Sequence, residues 1–128
     1  MGIDIVEIEE IKKAIEKGNR FVERVYTPKE IEYCEGKNDK YPHYTVRYAA
    51  KEAVMKALGT GWDKGVQWKQ IEIINEGDRK PETGSGKPQI RLSGEALKRA
   101  KKMRVDNIAV SLSHSQYYAI ASVVFEGD

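Results

Sequence analysis

The sequence has one cysteine, two histidines and no long apolar run. Cys34 alone excludes an internal disulfide and a cysteine-based zinc site, and His43 and His114 are too few for a histidine-rich metal site. A transmembrane helix needs about 20 consecutive apolar residues, whereas the apolar runs here are only a few residues long. The N-terminus lacks a basic region followed by an apolar stretch, so we expect no secretory signal. These absences predict a cytoplasmic protein with no membrane partner.

An excess of charge of one sign is missing too. The chain of 128 residues has 22 basic and 20 acidic residues and a net charge of +2, which is not typical of a nucleic-acid-binding protein. Basic residues do cluster locally over residues 98–104, which we interpret as a solvated helix face. For Arg20 and Arg24 a role in partner binding stays open. The length predicts a single domain over residues 1–128.

Common nucleotide and hydrolase motifs are absent as well. Gly86-Lys87 is followed by Pro88, which excludes a Walker A loop. Gly59-Thr60-Gly61 lacks the third glycine of a dinucleotide fingerprint, and there is no Gly-x-Ser-x-Gly elbow. Ser113 and His114 are adjacent on a predicted strand and point to opposite faces, so a serine hydrolase is disfavoured.

Hydrophobic periodicity and capping signals predict a single α+β domain, with an antiparallel sheet packed on a long central helix. The predicted helices cover residues 7–17, 27–36, 44–58 and 93–103. The predicted strands cover residues 2–6, 66–75, 89–92, 108–113 and 118–126. Thr27-Pro28-Lys29-Glu30 is the clearest start signal, since it can form a capping box. We expect a polar loop over residues 36–42 and a long connection over residues 76–87.

Two carboxylates on different elements are the candidates for chemistry. Asp4 lies in an otherwise apolar strand, and Glu52 borders the small-residue face of the central helix, with Lys56 one turn later. Taken separately, Asp4 can be a strand-edge carboxylate, and Glu52 with Lys56 an ordinary i,i+4 pair. Taken together, they suit Mg²⁺ holding a pyrophosphate, with Lys56, Arg47 and Lys51 as flanking cations. The Gly59 turn lets backbone amides approach a phosphate or ribose closely.

The order of these segments resembles that of the holo-[acyl-carrier-protein] synthases, the short, trimeric class of phosphopantetheinyl transferase. The resemblance covers residues 2 to about 126. The segments that carry it are Gly2-Ile3-Asp4-Ile5-Val6-Glu7-Ile8, Arg20-Phe21 with Arg24, Thr27 and Glu30, Arg47-Tyr48-Ala49-Ala50-Lys51-Glu52-Ala53, Lys56-Ala57-Leu58-Gly59-Thr60-Gly61, Gly86-Lys87-Pro88, and Val110-Ser111-Leu112-Ser113-His114-Ser115.

The resemblance implies transfer of the phosphopantetheine arm of coenzyme A to a serine of apo acyl carrier protein, with release of adenosine 3′,5′-bisphosphate, in support of fatty acid biosynthesis. Asp4 and Glu52 match the family's Mg²⁺ ligands, and Lys56 matches a lysine near the pyrophosphate. Gly59 lies in the turn beside the coenzyme. The base for the carrier serine is then Glu52 or a metal-bound water.

The resemblance further implies a homotrimer with sites at the subunit interfaces. The residues that match those reaching coenzyme A from a neighbouring subunit are Arg47, His114 and Ser115.

A basic first-helix region would attract an acidic carrier protein, and Lys17, Arg20 and Arg24 are the candidates. Two departures from the family pattern stand out. Glu9 and Glu10 lie where relatives often have a basic residue, and the chain begins closer to Asp4 than is usual, which shortens the first strand.

The alternative to an enzyme is a non-catalytic module that binds RNA or another polyanion through the basic helix over residues 94–104. Such a module would bind with a steep salt dependence and without coenzyme A or Mg²⁺. The modest net charge disfavours it.

Overall fold

The elements follow the predicted order, with one additional helix. A computed structural model describes residues 1–59, 65–75 and 87–127. Its helices and strands, in chain order, are β1 (Gly2–Glu7), α1 (Ile8–Glu16), α2 (Arg20–Val25), α3 (Pro28–Glu35), α4 (Lys40–Leu58), β2 (Ile71–Asn75), β3 (Pro88–Leu92), α5 (Gly94–Lys102), β4 (Val105–His114) and β5 (Tyr118–Gly127).

The central helix α4 packs against an antiparallel sheet with the strand order β1-β5-β4. One face of this sheet is apolar and turned towards the helix, where Val6, Ala121 and Val123 are buried. Small side chains on α4, among them Ala49 and Ala53, are fully buried and let the helix lie close to the strands. The predicted α+β class and its antiparallel sheet on a long helix are confirmed.

Backbone packing between β1 and α4 is closest at Gly2. A Cβ atom at this position would lie 2.0 Å from the carbonyl oxygen of Ala53 and 3.3 Å from the backbone nitrogen of Ala57. Only glycine fits this approach. Asp4, two residues further along the same strand, therefore lies on the strand face that is turned towards α4. The shortness of β1 does not prevent pairing, since all six of its residues pair with β5.

The ends of α3 and α4 follow from local signals. Thr27 forms the predicted capping box, in which Thr27 Oγ1 accepts a 3.3 Å bond from the Glu30 backbone and Glu30 Oε1 accepts a 2.9 Å bond from the Thr27 backbone. At the other end of α4, Gly59 adopts a left-handed conformation with φ of 72° and stops the helix as predicted.

A buried ion pair joins α3, α4 and the short sheet of β2 and β3. Lys51 Nζ lies 2.8 Å from Glu30 Oε1, and both side chains are fully buried. Lys51 also donates to the carbonyls of Trp68 and Ile71, at 3.1 and 2.6 Å. Glu30 Oε2 accepts a 2.9 Å bond from the backbone of Ile73. Because every charge here has a partner, the network holds the three elements together.

Four details of the structure differ from the sequence predictions. Helix α2 was not predicted, and α4 begins at Lys40, so the expected loop over residues 36–42 is shorter. The strand expected over residues 66–75 begins at Ile71, after a 3₁₀ turn over Trp68–Gln70. The predicted cap of α5, Ser93, occupies the N-cap position without a side-chain cap bond.

Some of the remaining residues are buried, and others lie outside the described part of the chain. Trp68 and Cys34 are buried. Trp62, Thr60, Gly61 and nearly all of the 76–87 connection lie outside the described residues. Among the described helices, none has the length and apolar character needed to cross a membrane.

Candidate active site

Helix geometry aligns three side chains along one side of α4. Tyr48, Glu52 and Lys56 are spaced four residues apart, so successive members are offset by only about 40° around the axis. Side chains on a helix lean towards its N-terminus, so each of the later two reaches back over the one before it. This row faces the strand that carries Asp4.

Asp4 and Glu52 meet in the space between β1 and α4, and Lys56 closes its rim. Lys56 Nζ lies 2.7 Å from Asp4 Oδ1 and donates a longer bond of 3.3 Å to the carbonyl of Ile3. Only 11% of the Asp4 side chain is exposed, although β1 is an edge strand of the sheet. Asp4 does lie on an edge strand, as the strand-edge interpretation expects, but its side chain is largely shielded from solvent. Lys56 forms its ion pair with Asp4 of β1. The ordinary i,i+4 interpretation predicted a pair between Lys56 and Glu52 within the helix.

The electrostatics of this space are unfavourable for two negative charges. Burial, the charge of Asp4 and a hydrogen bond with Asp4 raise the pKa of Glu52 to about 7, while Lys56 and Tyr48 act in the opposite direction. A hydrogen bond with Asp4 raises the pKa of Lys56, so this amine stays protonated. Asp4 Oδ2 is buried without a hydrogen-bond partner among the described residues. A buried acceptor without a donor is the kind of group that a bound cation would satisfy.

The residues present fit a hard divalent cation. Mg²⁺ prefers oxygen ligands and usually takes one or two protein carboxylates, with water and phosphate oxygens completing its shell. Within residues 1–59, 65–75 and 87–127, no cluster of three or more histidine, cysteine, aspartate or glutamate side chains could hold a metal. Asp4 and Glu52 are thus a two-carboxylate donor set, and the remaining ligand positions would be left to water or a substrate.

Sequence reasoning missed Tyr48 as part of this site. Burial, followed by the charge of Glu52, raises the pKa of Tyr48 to about 12. The ring stacks on Trp68 with centroids 4.9 Å apart. The i,i+4 spacing of Tyr48 and Glu52 was the signal that could have found it.

Arg47 belongs to a second group of residues on another side of α4. Positions 47 and 52 differ by about 140° around the helix axis, so their side chains diverge. The buried Arg47 guanidinium lies 4.1 Å from the centre of the Tyr33 ring, donates a 3.1 Å bond to the carbonyl of His43 and donates to Asn75. These residues line a cavity of about 340 Å³.

His114 lies near this second group, and Ser115 follows it in the turn after β4. The rings of His114 and His43 are 6.1 Å apart between centroids, so His114 is close to Arg47's neighbours. Ser115 holds the turn between β4 and β5, since its Oγ accepts bonds of 3.4 and 3.2 Å from the backbones of Tyr117 and Tyr118. One chain therefore does not bring these predicted coenzyme residues to the Asp4 and Glu52 carboxylates.

Lys51 is not a flanking cation of the site, which corrects the sequence interpretation. It lies one residue before Glu52 and therefore about 100° away around α4, where it is fully buried beside Glu30. Gly59 does lie one turn beyond Lys56, at the end of α4, and Arg99 Nε donates a 3.1 Å bond to the carbonyl of Leu58 beside it.

The predicted docking residues are all on the surface. Lys17, at the end of α1, and Arg20 and Arg24, on α2, are exposed. Arg20 and Arg24 are four residues apart and share one face of α2. Phe21, between them in sequence, lies 5.8 Å from the Tyr48 ring between centroids, so this helix borders the carboxylate site.

Comparison with known proteins gives a consistent result. Residues 1–121 match the family model described as 4′-phosphopantetheinyl transferase superfamily. The holo-[acyl-carrier-protein] synthase of Ruminiclostridium cellulolyticum is 47% identical over 131 residues, covering 100% of this chain and 92% of the relative. That of Solibacter usitatus is 43% identical over 126 residues, covering 98% and 95%.

Solved structures agree. The crystal structure of the Helicobacter pylori holo-[acyl-carrier-protein] synthase in complex with coenzyme A superposes with a TM-score of 0.79, at 32% identity and 98% coverage of both chains. The Neisseria meningitidis synthase gives a TM-score of 0.82 at 31% identity, covering 98% of this chain and 95% of the other.

Proposed function

Since this chain belongs to the 4′-phosphopantetheinyl transferase superfamily and is one of its holo-[acyl-carrier-protein] synthases, we propose how its residues divide the work of transferring the phosphopantetheine arm from coenzyme A to acyl carrier protein. The arm goes to a serine hydroxyl of the apo carrier. Its oxygen forms a bond to the phosphorus next to the pantetheine, and its proton passes to Glu52 or to water. The pyrophosphate bond breaks, and adenosine 3′,5′-bisphosphate leaves. The reaction takes place in the cytoplasm and supplies carrier protein for fatty acid biosynthesis.

Asp4 and Glu52 are the residues that would hold Mg²⁺. The observation that carries this assignment is the pair of acids in one small space, with Asp4 Oδ2 buried and unpartnered and the pKa of Glu52 raised to about 7. When bound, Mg²⁺ would supply the positive charge that both carboxylates and the diphosphate require. The carboxylates are themselves carried by β1 and α4, so an ion bound between them would be held in place relative to both elements.

Lys56 neutralises charge on the departing bisphosphate. More than half of its side chain is exposed, so the amine can reach a ligand that lies at the rim of the site. Its pKa is raised by Asp4, so it remains a cation at neutral pH. A fixed positive group near the breaking bond stabilises the transition state more than the ground state, because the negative charge on the leaving oxygen grows during transfer.

A homotrimer completes the site from two chains. Arg47, His114 and Ser115 contact the coenzyme from the neighbouring subunit, while Gly59 borders it from the subunit that supplies the carboxylates. The divergence of Arg47 and Glu52 around α4 supports this division.

The sheet face turned away from α4 supports self-association. It exposes large apolar side chains, at Ile3, Ile5, Tyr118, Ile120 and Val124. Ile5 and Ile120 are paired across β1 and β5, so they form one continuous patch. Exposed apolar patches of this kind mark interfaces.

The acidic carrier protein binds at Lys17, Arg20 and Arg24. These cations are exposed on α1 and α2, and α2 contacts the carboxylate site through Phe21 and Tyr48. A carrier bound there would hold its serine near the pyrophosphate. Nothing comparable supports the polyanion-binding alternative on α5, where Lys98 pairs with Glu95 and Arg99 binds the Leu58 carbonyl.

The test is incubation with apo carrier protein, coenzyme A and Mg²⁺, read out by mass spectrometry. The parent protein is expected to add one phosphopantetheine arm to the carrier. Asp4→Ala and Glu52→Ala are expected to lose transfer while keeping the circular dichroism of the parent, and Glu32→Ala, an exposed acid on α3, serves as the control. Near-normal turnover by either site variant would refute the shared metal.

A further inference from the structure

Arg47 is a buried cation without an acidic partner among the described residues. Only 2% of the residue is exposed, and no carboxylate of that part of the chain forms an ion pair with it. Its hydrogen bonds go to the neutral carbonyl of His43 and the neutral amide of Asn75, and its Nε atom is buried without a partner in that part of the chain. Burial of a charge is costly unless an opposite charge accompanies it. The guanidinium therefore carries a positive charge that the described residues leave uncancelled.

The aromatic ring of Tyr33 contacts this guanidinium. Tyr33 belongs to α3, and the central carbon of the Arg47 guanidinium lies 4.1 Å from the ring centroid. A second cation, Lys37 Nζ, lies 4.3 Å from the same centroid. The negative face of an aromatic ring attracts a cation, most strongly where water is excluded. Because the ring has no net charge, it can fix the position of a cation without neutralising it.

The cavity beside Arg47 can accept an anionic group. It has a volume of about 340 Å³, and the described residues that line it include Tyr33, Arg47 and Ser111 but no acidic side chain. The Tyr33 ring also packs edge-on against the ring of His43, with centroids 5.9 Å apart, so two residues of α4 restrict its orientation. An arginine held in this way suits a phosphate, which its planar group of donors can bind.

We propose that Tyr33 is a positioning residue for coenzyme binding, whose ring face holds the Arg47 guanidinium at the cavity and leaves its charge available to a phosphate of coenzyme A. This inference rests on the proposed function, because it takes Arg47 to be a coenzyme contact. The ring face makes the contact, and the hydroxyl of Tyr33 has no part in it. Phenylalanine should therefore substitute for Tyr33, whereas leucine should not.

The test compares Tyr33→Leu and Tyr33→Phe with a matched control, Tyr41→Leu. Tyr41 lies in the first turn of α4, and its ring also faces two cations, Lys12 Nζ at 5.4 Å and Lys40 Nζ at 5.6 Å. The two leucine variants thus remove the same kind of contact, at the cavity and away from it. The dissociation constant of coenzyme A is measured by titration calorimetry in Mg²⁺, and kcat and the Michaelis constants are measured in the transfer assay.

Tyr33→Leu is expected to weaken coenzyme A binding about 10-fold, which corresponds to about 1.4 kcal/mol and lies within the range of a desolvated contact between a cation and an aromatic ring. The kcat at saturating coenzyme A and the Michaelis constant for carrier protein should stay near the parent values, which a general structural defect would not allow. Tyr33→Phe and Tyr41→Leu should bind coenzyme A like the parent. An equal loss of binding in Tyr33→Phe and Tyr33→Leu would refute the role of the ring.

A measurement on the parent protein decides the matter even if Tyr33→Leu does not fold. The Nε–H signal of Arg47 is observed by nuclear magnetic resonance and is assigned by its loss in Arg47→Lys. A sharp signal displaced by the ring current of Tyr33 is expected. A signal with the position and line width of an exposed arginine would overturn the proposal.

Arg47→Met separates the positioning role from the proposed function. If this variant binds coenzyme A as tightly as the parent, the coenzyme contact of Arg47 is wrong and the role of Tyr33 fails with it. If Arg47→Met loses binding while Tyr33→Leu binds like Tyr41→Leu, the coenzyme contact stands and the positioning role is refuted.

Discussion

Replacing Glu52 by glutamine should stabilise the metal-free protein at pH 8. The pKa of Glu52 is raised from its ordinary 4.5 to about 7, chiefly by burial and by the charge of Asp4. Below pH 4.5 the carboxyl is protonated in both the folded and the unfolded chain and contributes nothing. Between pH 4.5 and 7 the unfolded chain loses this proton while the folded chain keeps it, so stability falls as pH rises. Above pH 7 the destabilisation by the charged Glu52 carboxylate has its full value. Glutamine carries no charge and therefore removes this destabilisation.

The magnitude follows from this shift and from solvent exposure. If the whole pKa shift of Glu52 appeared in the free energy of unfolding, the effect would be about 3 kcal/mol. Because Glu52 is only partly buried, screening by solvent reduces the expected effect to about 1 kcal/mol. For a chain of this length, 1 kcal/mol corresponds to about 4 °C in melting temperature.

Thermal unfolding of both proteins at one protein concentration, in chelator, checks the sign. Glu52→Gln should melt about 4 °C above the parent at pH 8 and at the same temperature near pH 4.5. Added Mg²⁺ should reverse the order at pH 8, since an ion at 100 times its dissociation constant stabilises only the parent, by about 2.7 kcal/mol. The reasoning is refuted if the variant is less stable than the parent in chelator at pH 8, or if Mg²⁺ stabilises both equally. Glu32→Gln is the surface control.

Three further results are expected. Arg20→Glu should raise the Michaelis constant for carrier protein at least 10-fold, with little change in that for coenzyme A. The control, Lys102→Glu on α5, should change neither constant. Equal effects of Arg20→Glu on both substrates would argue against docking on α2. Lys51→Met should lower the free energy of unfolding in urea by about 3 to 5 kcal/mol, because it leaves Glu30 buried without its counter-charge; a loss below 1 kcal/mol would contradict that account. Ile5→Glu should convert the proposed trimer to folded monomers, as measured by analytical ultracentrifugation. The control, Lys102→Glu, should sediment like the parent. A monomeric parent would exclude a trimer interface on the exposed apolar face of the sheet.

Sequence signals were sufficient where they are local. The Thr27 capping box and the Gly59 stop predicted their helix ends because both depend on residues within one turn. The start of α4 was missed because Pro42 was taken as part of a loop. Proline is tolerated in the first turn of a helix, where its missing N–H has no intrahelical partner, and Asp39 caps that first turn of α4.

Elements that depend on contacts between distant parts of the chain could not be predicted from the sequence. Helix α2 has six residues, too few to show a helical period, and its formation depends on contacts such as that of Phe21 with Tyr48. The same holds within the site. Asp4 and Glu52 were identified from the sequence, and the structure brings them together. Lys51 was misplaced, because its burial depends on Glu30 of another helix.

The absence of a side chain at Gly2 has a consequence for the two acids. Because β1 touches the backbone of α4 there, the separation of the two main chains at the carboxylates is set by main-chain contact and not by side-chain choice. Lengthening the strand acid by one methylene, as in Asp4→Glu, would move its carboxylate without moving the strand. The distance between the two carboxylates is therefore set mainly by the backbones of β1 and α4. A bound ion of different radius would have to fit this distance.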